Sequence, residues 1–285
     1  MRALLTTLAT IIAIGTTPAQ AITGKFVDDN QHPFVGLVVF YDAHGVYSGR
    51  CSGALLSPSV FLTAGHCVVG VSSARVYFQQ DAGVHYDPTT ELDPVSGYPE
   101  SCLSQPCTTS RKFFNFGYPS PLPNSMDVGL LILDEPIILQ EYGVLGESGF
   151  LNGLATQSGQ KAIQFTVSGY GLSYTNPHIS VSFRERLMAQ SQLINLTSAL
   201  NGGFNLQTTN NPGIGGGTCF GDSGGPVFYG PTSSNTIVGI TSFGLSTKVC
   251  AGVDFSYRTD RQAVIDWIVS HAPVSERALI EVVKR

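Results

Sequence analysis

Short apolar segments recur along the chain, each bounded by Gly, Pro, Asn, Asp or Ser. Phe-Val-Gly-Leu-Val-Val-Phe-Tyr at 34–41 is continuously apolar and predicts a buried strand. So do 60–63, 74–78 and 128–133. A second set follows at 162–169, 181–187, 226–229, 236–242 and 252–257. Segments this short, at this spacing, predict an all-β sandwich or barrel rather than a bundle. One helical pattern stands near the end. Val264, Ile265, Trp267 and Ile268 share a face, Thr259 or Asp260 is placed to cap it, and Pro273 stops it.

The pattern also divides the chain. A Gly- and Ser-rich stretch at 146–159 reads as a connector between two β units of similar size, 22–145 and 146–271. The stretch 80–124 is Pro-rich and irregular, too long for a turn, and reads as an inserted loop. No internal sequence repeat is visible. A C-terminal extension, 272–285, has room for a short terminal helix. At the other end, Arg2 precedes an apolar run, and Ala19-Gln20-Ala21 follows it. That is a secretory signal peptide over 1–21, with cleavage before Ile22.

Composition sharpens this picture. With 32 Gly and 16 Pro in 285 residues, long helices are disfavoured. Charged residues are 12%, about half the usual share, which excludes a disordered polyelectrolyte. A net charge of −5 excludes a basic nucleic-acid footprint, and after signal removal no segment predicts a membrane span. All six cysteines lie beyond residue 21, which in an exported chain suggests three disulfides. Six cysteines allow 15 pairings, and spacing alone does not choose among them. No Cys-x-x-Cys occurs, so zinc is the weaker reading. The acidic residues of the 80–124 stretch match no calcium loop.

Three motifs carry chemistry. Gly217-Thr-Cys-Phe-Gly-Asp-Ser-Gly-Gly-Pro226 surrounds Ser223 with glycines, which let a carbonyl approach turn amides closely. Leu62-Thr63-Ala64-Gly65-His66-Cys67 places a histidine after a strand. Met126-Asp127-Val128-Gly129-Leu130-Leu131 places a carboxylate at the mouth of another. A serine needs a base to become nucleophilic, and the base needs an orienting group. Any one of these motifs alone would fit an ordinary turn.

Together, in the order His, Asp, Ser, they resemble the chymotrypsin/trypsin family of serine endopeptidases over about 22–271. The resemblance implies an all-β fold of two six-stranded antiparallel β-barrels with a C-terminal α-helix. It implies Ser223 as nucleophile, His66 as general base and Asp127 as its orienting partner, with the amides of Gly221 and Ser223 as oxyanion hole. It implies disulfides Cys51–Cys67, Cys219–Cys250 and, for the remaining pair, Cys102–Cys107. Thr241-Ser242-Phe243-Gly244 resembles the family's substrate-pairing strand, with Phe243 in place of Trp.

The family's activation device is a new N-terminal ammonium paired with the Asp beside the nucleophile. Here those residues are Ile22 and Asp222, and no zymogen segment is expected between the cleavage signal and Ile22. Thr23 and Lys25 depart from the family's N-terminal pattern. For substrate binding the resemblance points to Gly217 at the pocket floor, with Thr218, Ser242, Phe243, Gly244 and Gly252 around it. That pocket is neutral, so aromatic or large aliphatic side chains are expected before the scissile bond. Asp254 is the alternative: turned into the pocket, it would favour Arg or Lys.

No cofactor and no metal are implied. The expected partners are polypeptide substrates and protein inhibitors of proteases, acting on a secreted monomer. Asn195-Leu196-Thr197 fits a glycosylation acceptor. Two rivals remain at this level. A silent binding module would share the fold, although every triad position here is filled. An esterase of the α/β-hydrolase type would place its serine before its acid and histidine, whereas Ser223 comes last.

Overall fold

The computed structural model describes residues 22–82, 92–93, 96–99, 107–154, 163–175, 177–182 and 184–285. Val35–Tyr41 (β1), Tyr47–Leu55 (β2), Val60–Thr63 (β3), Ser73–Tyr77 (β4), Cys107–Asn115 (β5) and Gly129–Leu133 (β6) close into a barrel. Its order is β1-β2-β3-β6-β5-β4. Gln164–Gly169 (β7), Leu187–Asn195 (β8), Asn205–Asn210 (β9), Pro226–Tyr229 (β10), Thr236–Gly244 (β11) and Gly252–Arg258 (β12) form the second. Its order, β7-β8-β9-β12-β11-β10, closes through β10–β7 pairing and repeats the first topology without a sequence repeat. All twelve barrel pairings are antiparallel.

Closure hides every strand edge and turns one face of each strand onto a core. β1, β3 and β6 are buried on both faces, as their continuous apolar runs require. Val38, Leu55, Phe61 and Leu131 are fully buried in the first core, which extends to Phe228 and Tyr257 of the second barrel. Ile22, Phe165, Leu206 and Val238 belong to a second cluster. Arg186, 4% exposed, sits at the junction of the barrels. Its guanidinium donates to the carbonyls of Asp29, Val35 and Phe78, so the buried cation has fixed acceptors.

Several elements differ from expectation. The stretch 80–124 is not one loop, because barrel strand β5 lies inside it. β5 reads Cys-Thr-Thr-Ser-Arg-Lys-Phe-Phe-Asn, too polar to register as a strand by hydrophobicity. β2 and β9 escape the pattern for the same reason. The strand expected at 181–187 begins at Leu187 and runs to Asn195, while Ser180–Val181 pairs with Tyr174–Thr175 in a small hairpin.

The helix, Gln262–His271 (α1), buries Val264, Ile265 and Ile268. Its cap position is Arg261, with no side-chain capping bond. Asp260 is committed elsewhere: it accepts from Arg258 and from the amide of Leu151. Thr259 donates to the carbonyl of Ile237. The extension forms one 3-10 turn, Arg277–Leu279, and a two-residue strand, Val282–Val283, parallel to Val144–Gly146. The signal segment 1–21 and Cys102 lie outside the described residues.

Candidate active site

The cleft between the barrels collects residues from both. His66 lies in a 3-10 turn, Gly65–Cys67, that follows β3. The Cys51–Cys67 disulfide ties this turn to β2. Asp127 precedes β6 and is 1% exposed. Its Oδ1 accepts from the His66 amide at 2.8 Å and its Oδ2 from His66 Nδ1 at 2.9 Å. Ser242 Oγ, from the second barrel, donates to the same Oδ2 at 2.5 Å. Three donors thus satisfy a carboxylate that burial alone would make costly. An ionised Asp127 holds the proton of His66 on Nδ1 and leaves Nε2 as the basic nitrogen. Sequence reading places Ser242 in the substrate-pairing strand and beside the pocket; its hold on Asp127 emerges from the fold.

The loop bearing Ser223 is fixed on all sides. Ser52 N donates to Ser223 O at 2.8 Å, Gly224 N to Thr241 O at 2.8 Å, and Gly225 N to Asp222 O at 2.8 Å. The loop is also stapled by Cys219–Cys250. Gly224 has φ +80°, and a Cβ there would lie 2.0 Å from Thr63 Oγ1 and 2.5 Å from Ser52 O, so only glycine fits. The Leu172 amide donates to Phe220 O at 2.8 Å. A trans peptide then sends the Gly221 N–H to the opposite side. Ser52 Oγ holds the Gly221 carbonyl at 2.9 Å. Neither Gly221 N–H nor Ser223 N–H donates to a backbone carbonyl among the described residues, leaving two adjacent donors uncommitted. No hydrogen bond joins His66 Nε2 to Ser223 Oγ among the described residues. Ligand-free sites of this chemistry often hold the pair further apart than in the reacting complex.

Next to Ser223 opens a cavity of about 240 Å³ lined by Thr218, Ser242, Phe243, Gly244, Val253 and Asp254, among others. Gly217, expected at the floor, and Gly252, expected in the wall, are not part of the lining. Gly217 is packed against Asn210, and Gly252, at φ +97°, is exposed. Asp254 occupies the position the sequence left ambiguous. It lines the cavity and is 5% exposed. Its Oδ1 accepts from Asn210 Nδ2 at 2.8 Å and its Oδ2 from Thr218 N at 2.6 Å. Burial pushes its pKa up to about 6, against the lowering effect of those hydrogen bonds. Asn210, with no motif to mark it, also accepts from Thr23 Oγ1 at 2.6 Å.

Asp222 is fully buried. It accepts from Gly171 N at 2.7 Å and from Cys219 N at 2.9 Å, and burial raises its pKa to about 7. Thr23 pairs with Gly217, which lays the N-terminal segment against the start of this loop. The Ile22 side chain is buried in the second core. No ion pair joins Ile22 to Asp222, because in the uncleaved chain the Ile22 nitrogen is a neutral amide.

A serine loop and an Asp-bound imidazole facing one cleft between two six-stranded barrels define a chymotrypsin-type serine peptidase architecture. The family model for trypsin matches residues 21–268, and the chain belongs to the trypsin family of serine endopeptidases. It is 26% identical over 273 residues to an ovochymase of Halocynthia roretzi, covering 94% of this chain but only 16% of that protein. It is 23% identical to trypsin zeta of Drosophila erecta over 80% of this chain and 78% of that one. It is 24% identical to chymotrypsin-like elastase family member 1 of Bos taurus, covering 88% and 89%. Among solved structures, HL collagenase superposes with a TM-score of 0.62 at 19% identity, over 87% of this chain and 96% of that one. A scabies mite inactivated protease paralogue, S-I1, superposes at 0.56 and 17%, over 87% and 97%. These two likenesses show the fold.

Proposed function

We propose that this chain is a secreted endopeptidase that hydrolyses peptide bonds through an acyl-enzyme on Ser223. His66 Nε2 takes the Ser223 proton as Oγ attacks the scissile carbonyl, then delivers it to the leaving amine. Asp127 steadies the resulting imidazolium. The N–H groups of Gly221 and Ser223 receive the oxyanion. The observation that carries this reading is the buried Asp127, bonded twice to His66 and once to Ser242 across the barrel boundary.

Cleavage before Ile22 would create an ammonium one residue before the Thr23–Gly217 pair. Asp222, buried, held by two amide donors and in no ion pair among the described residues, is the carboxylate that this ammonium would join. Export is supported by the leader pattern at 1–21, by the Cys51–Cys67 and Cys219–Cys250 disulfides, and by the absence of a membrane-length apolar helix among the described residues. The partners are polypeptide substrates and protein inhibitors that block the same cleft, and the working form is a monomer.

The walls formed by Phe243, Val253, Val249 and Leu245 favour aromatic or large aliphatic side chains before the scissile bond. Asp254 on the same cavity favours a second reading, in which basic side chains are accepted once it ionises.

A fluorophosphonate probe tests the chemistry on secreted protein. It is expected to label the parent and not Ser223→Ala, and turnover in that variant falls about 10⁶-fold, the scale for loss of such a nucleophile. A folded parent starting at Ile22 that takes no label would refute the reading and favour a silent binding module.

A further inference from the structure

Asn210 ends β9 and is 1% exposed, so its amide must find its partners inside the protein. Its Nδ2 donates to Thr218 O at 2.8 Å and to Asp254 Oδ1 at 2.8 Å. Its Oδ1 accepts from Thr23 Oγ1 at 2.6 Å. A backbone carbonyl and an ionised carboxylate can only accept, so both must face the two protons of the amide. Oδ1 is then left for Thr23, and the Thr23 hydroxyl must donate to it. Thr23 Oγ1 also lies 3.3 Å from Gly217 O, a longer contact that competes for the same proton. The end of Asn210 that meets Asp254 is therefore fixed by its acceptors in front and by Thr23 behind.

Bare backbone brings these groups together. Thr23 and Gly24 pair with Gly217 and Gly216. A Cβ on Gly217 would lie 2.3 Å from Asn210 Cγ, and one on Gly216 would lie 2.3 Å from Thr23 O. Any side chain at either position would push the N-terminal segment out of reach of β9. Across the sheet, Asp254 of β12 stands opposite Thr208 of β9. Asn210 is two residues further along β9 and so shares a face with Asp254.

Thr23 and Asn210 stand behind the wall of the cavity, whereas Thr218 and Asp254 line it. The bonds from Thr218 and Asn210 favour the carboxylate form of Asp254, against the burial that favours the neutral form. Asp222 is a second buried carboxylate within reach of Asp254, and their like charges oppose each other. We propose that Asn210 is a positioning residue for substrate selection, holding Asp254 as an anion at the cavity wall, and that Thr23 fixes Asn210 in that pose. The hydroxyl at Thr23, a departure from the family's N-terminal pattern, thereby acts on the choice of substrate without touching it. This inference rests on the reading in which Asp254 receives basic side chains.

The test uses the chain starting at Ile22 and its variants Asn210→Ala, Thr23→Val and Thr23→Ser. kcat/KM is measured from pH 5 to 8 for two peptides that differ only in Arg or Phe before the scissile bond. Asn210→Ala removes one hydrogen bond to the anion, so the pH at which the Arg preference is half developed should rise by about one. At pH 6 that lowers the Arg-to-Phe ratio about fivefold. Thr23→Val should lower the same ratio about twofold, by loosening Asn210, and Thr23→Ser should restore it. A merely structural role lowers both peptides together and leaves the ratio and its midpoint unmoved, and that result overturns the proposal. A ratio that moves in Asn210→Ala but not in Thr23→Val overturns the part given to Thr23. Should Asn210→Ala fail to fold, the two Thr23 variants decide alone. A parent ratio that stays flat across this pH range is a different failure, because it refutes Asp254 as the receiver of basic side chains and removes this inference with it.

Discussion

Replacing Asp254 by Asn separates charge from shape in the proposed substrate pocket. The side chains are nearly the same size, but the carboxylate accepts from two donors, Asn210 Nδ2 and Thr218 N. An amide can accept from only one of them, so the variant loses one buried hydrogen bond, about 1–3 kcal/mol of stability. The charge effect reads out separately. With its pKa raised to about 6, Asp254 is mostly neutral in the empty pocket at pH 5 and mostly ionised at pH 7. Between those pH values the ionised fraction rises from about a tenth to about nine-tenths. If only the ionised form receives a cation, preference for Arg over Phe rises about tenfold, or about 1.4 kcal/mol. The assay is kcat/KM for two peptides differing only in Arg or Phe before the scissile bond, from pH 5 to 8. Their ratio cancels every pH effect that both substrates share. Phe is expected to lead at pH 5, with the ratio moving toward Arg as pH rises. In Asp254→Asn the ratio should be flat. A flat ratio in the parent, or the same slope in the variant, refutes the reasoning.

Thr23→Val strips Asn210 Oδ1 of its donor and leaves a buried acceptor bare. A loss of about 1–3 kcal/mol is expected in chemical denaturation, and an unchanged midpoint would show that Asn210 finds another partner. Asp29 offers an acid-stability test. Burial raises its pKa, but the hydrogen bond and charge of His32, with Ser168 and Arg186, outweigh this and leave it below the ordinary 3.8. Its stabilisation is complete above about pH 4 and is lost as pH falls through the depressed value. The thermal midpoints of the parent and Asp29→Asn should therefore converge between pH 5 and pH 2, and a constant gap would refute the assignment.

The parts of the site that sequence revealed are those whose chemistry is written locally. Gly221 to Gly225 supply turn amides and close approach within five residues, and His66 and Asp127 each adjoin an apolar strand. Strands β1, β3, β6 and β10 were legible because a strand buried on both faces must be apolar throughout. β2, β5 and β9 were not, since much of what holds them is a hydrogen-bond ladder that any side chain permits. Thr259 and Asp260 suited a helix cap, but Arg258, Leu151 and Ile237 claimed them first. A local propensity yields when a buried charge needs the same group.

Sequence by itself determined the class of fold and marked the candidate nucleophile loop, base and acid, because each depends on neighbours along the chain. Tertiary structure decided the rest. Closing two barrels of like topology brings Thr23 to Asn210, 187 residues away, and Asn210 to Asp254. It brings Ser242 onto Asp127 and Arg50 onto Tyr98. These contacts join side chains that no local pattern marks. Their partners are fixed by which strand edges meet when the sheet closes, and that is a property of the whole chain.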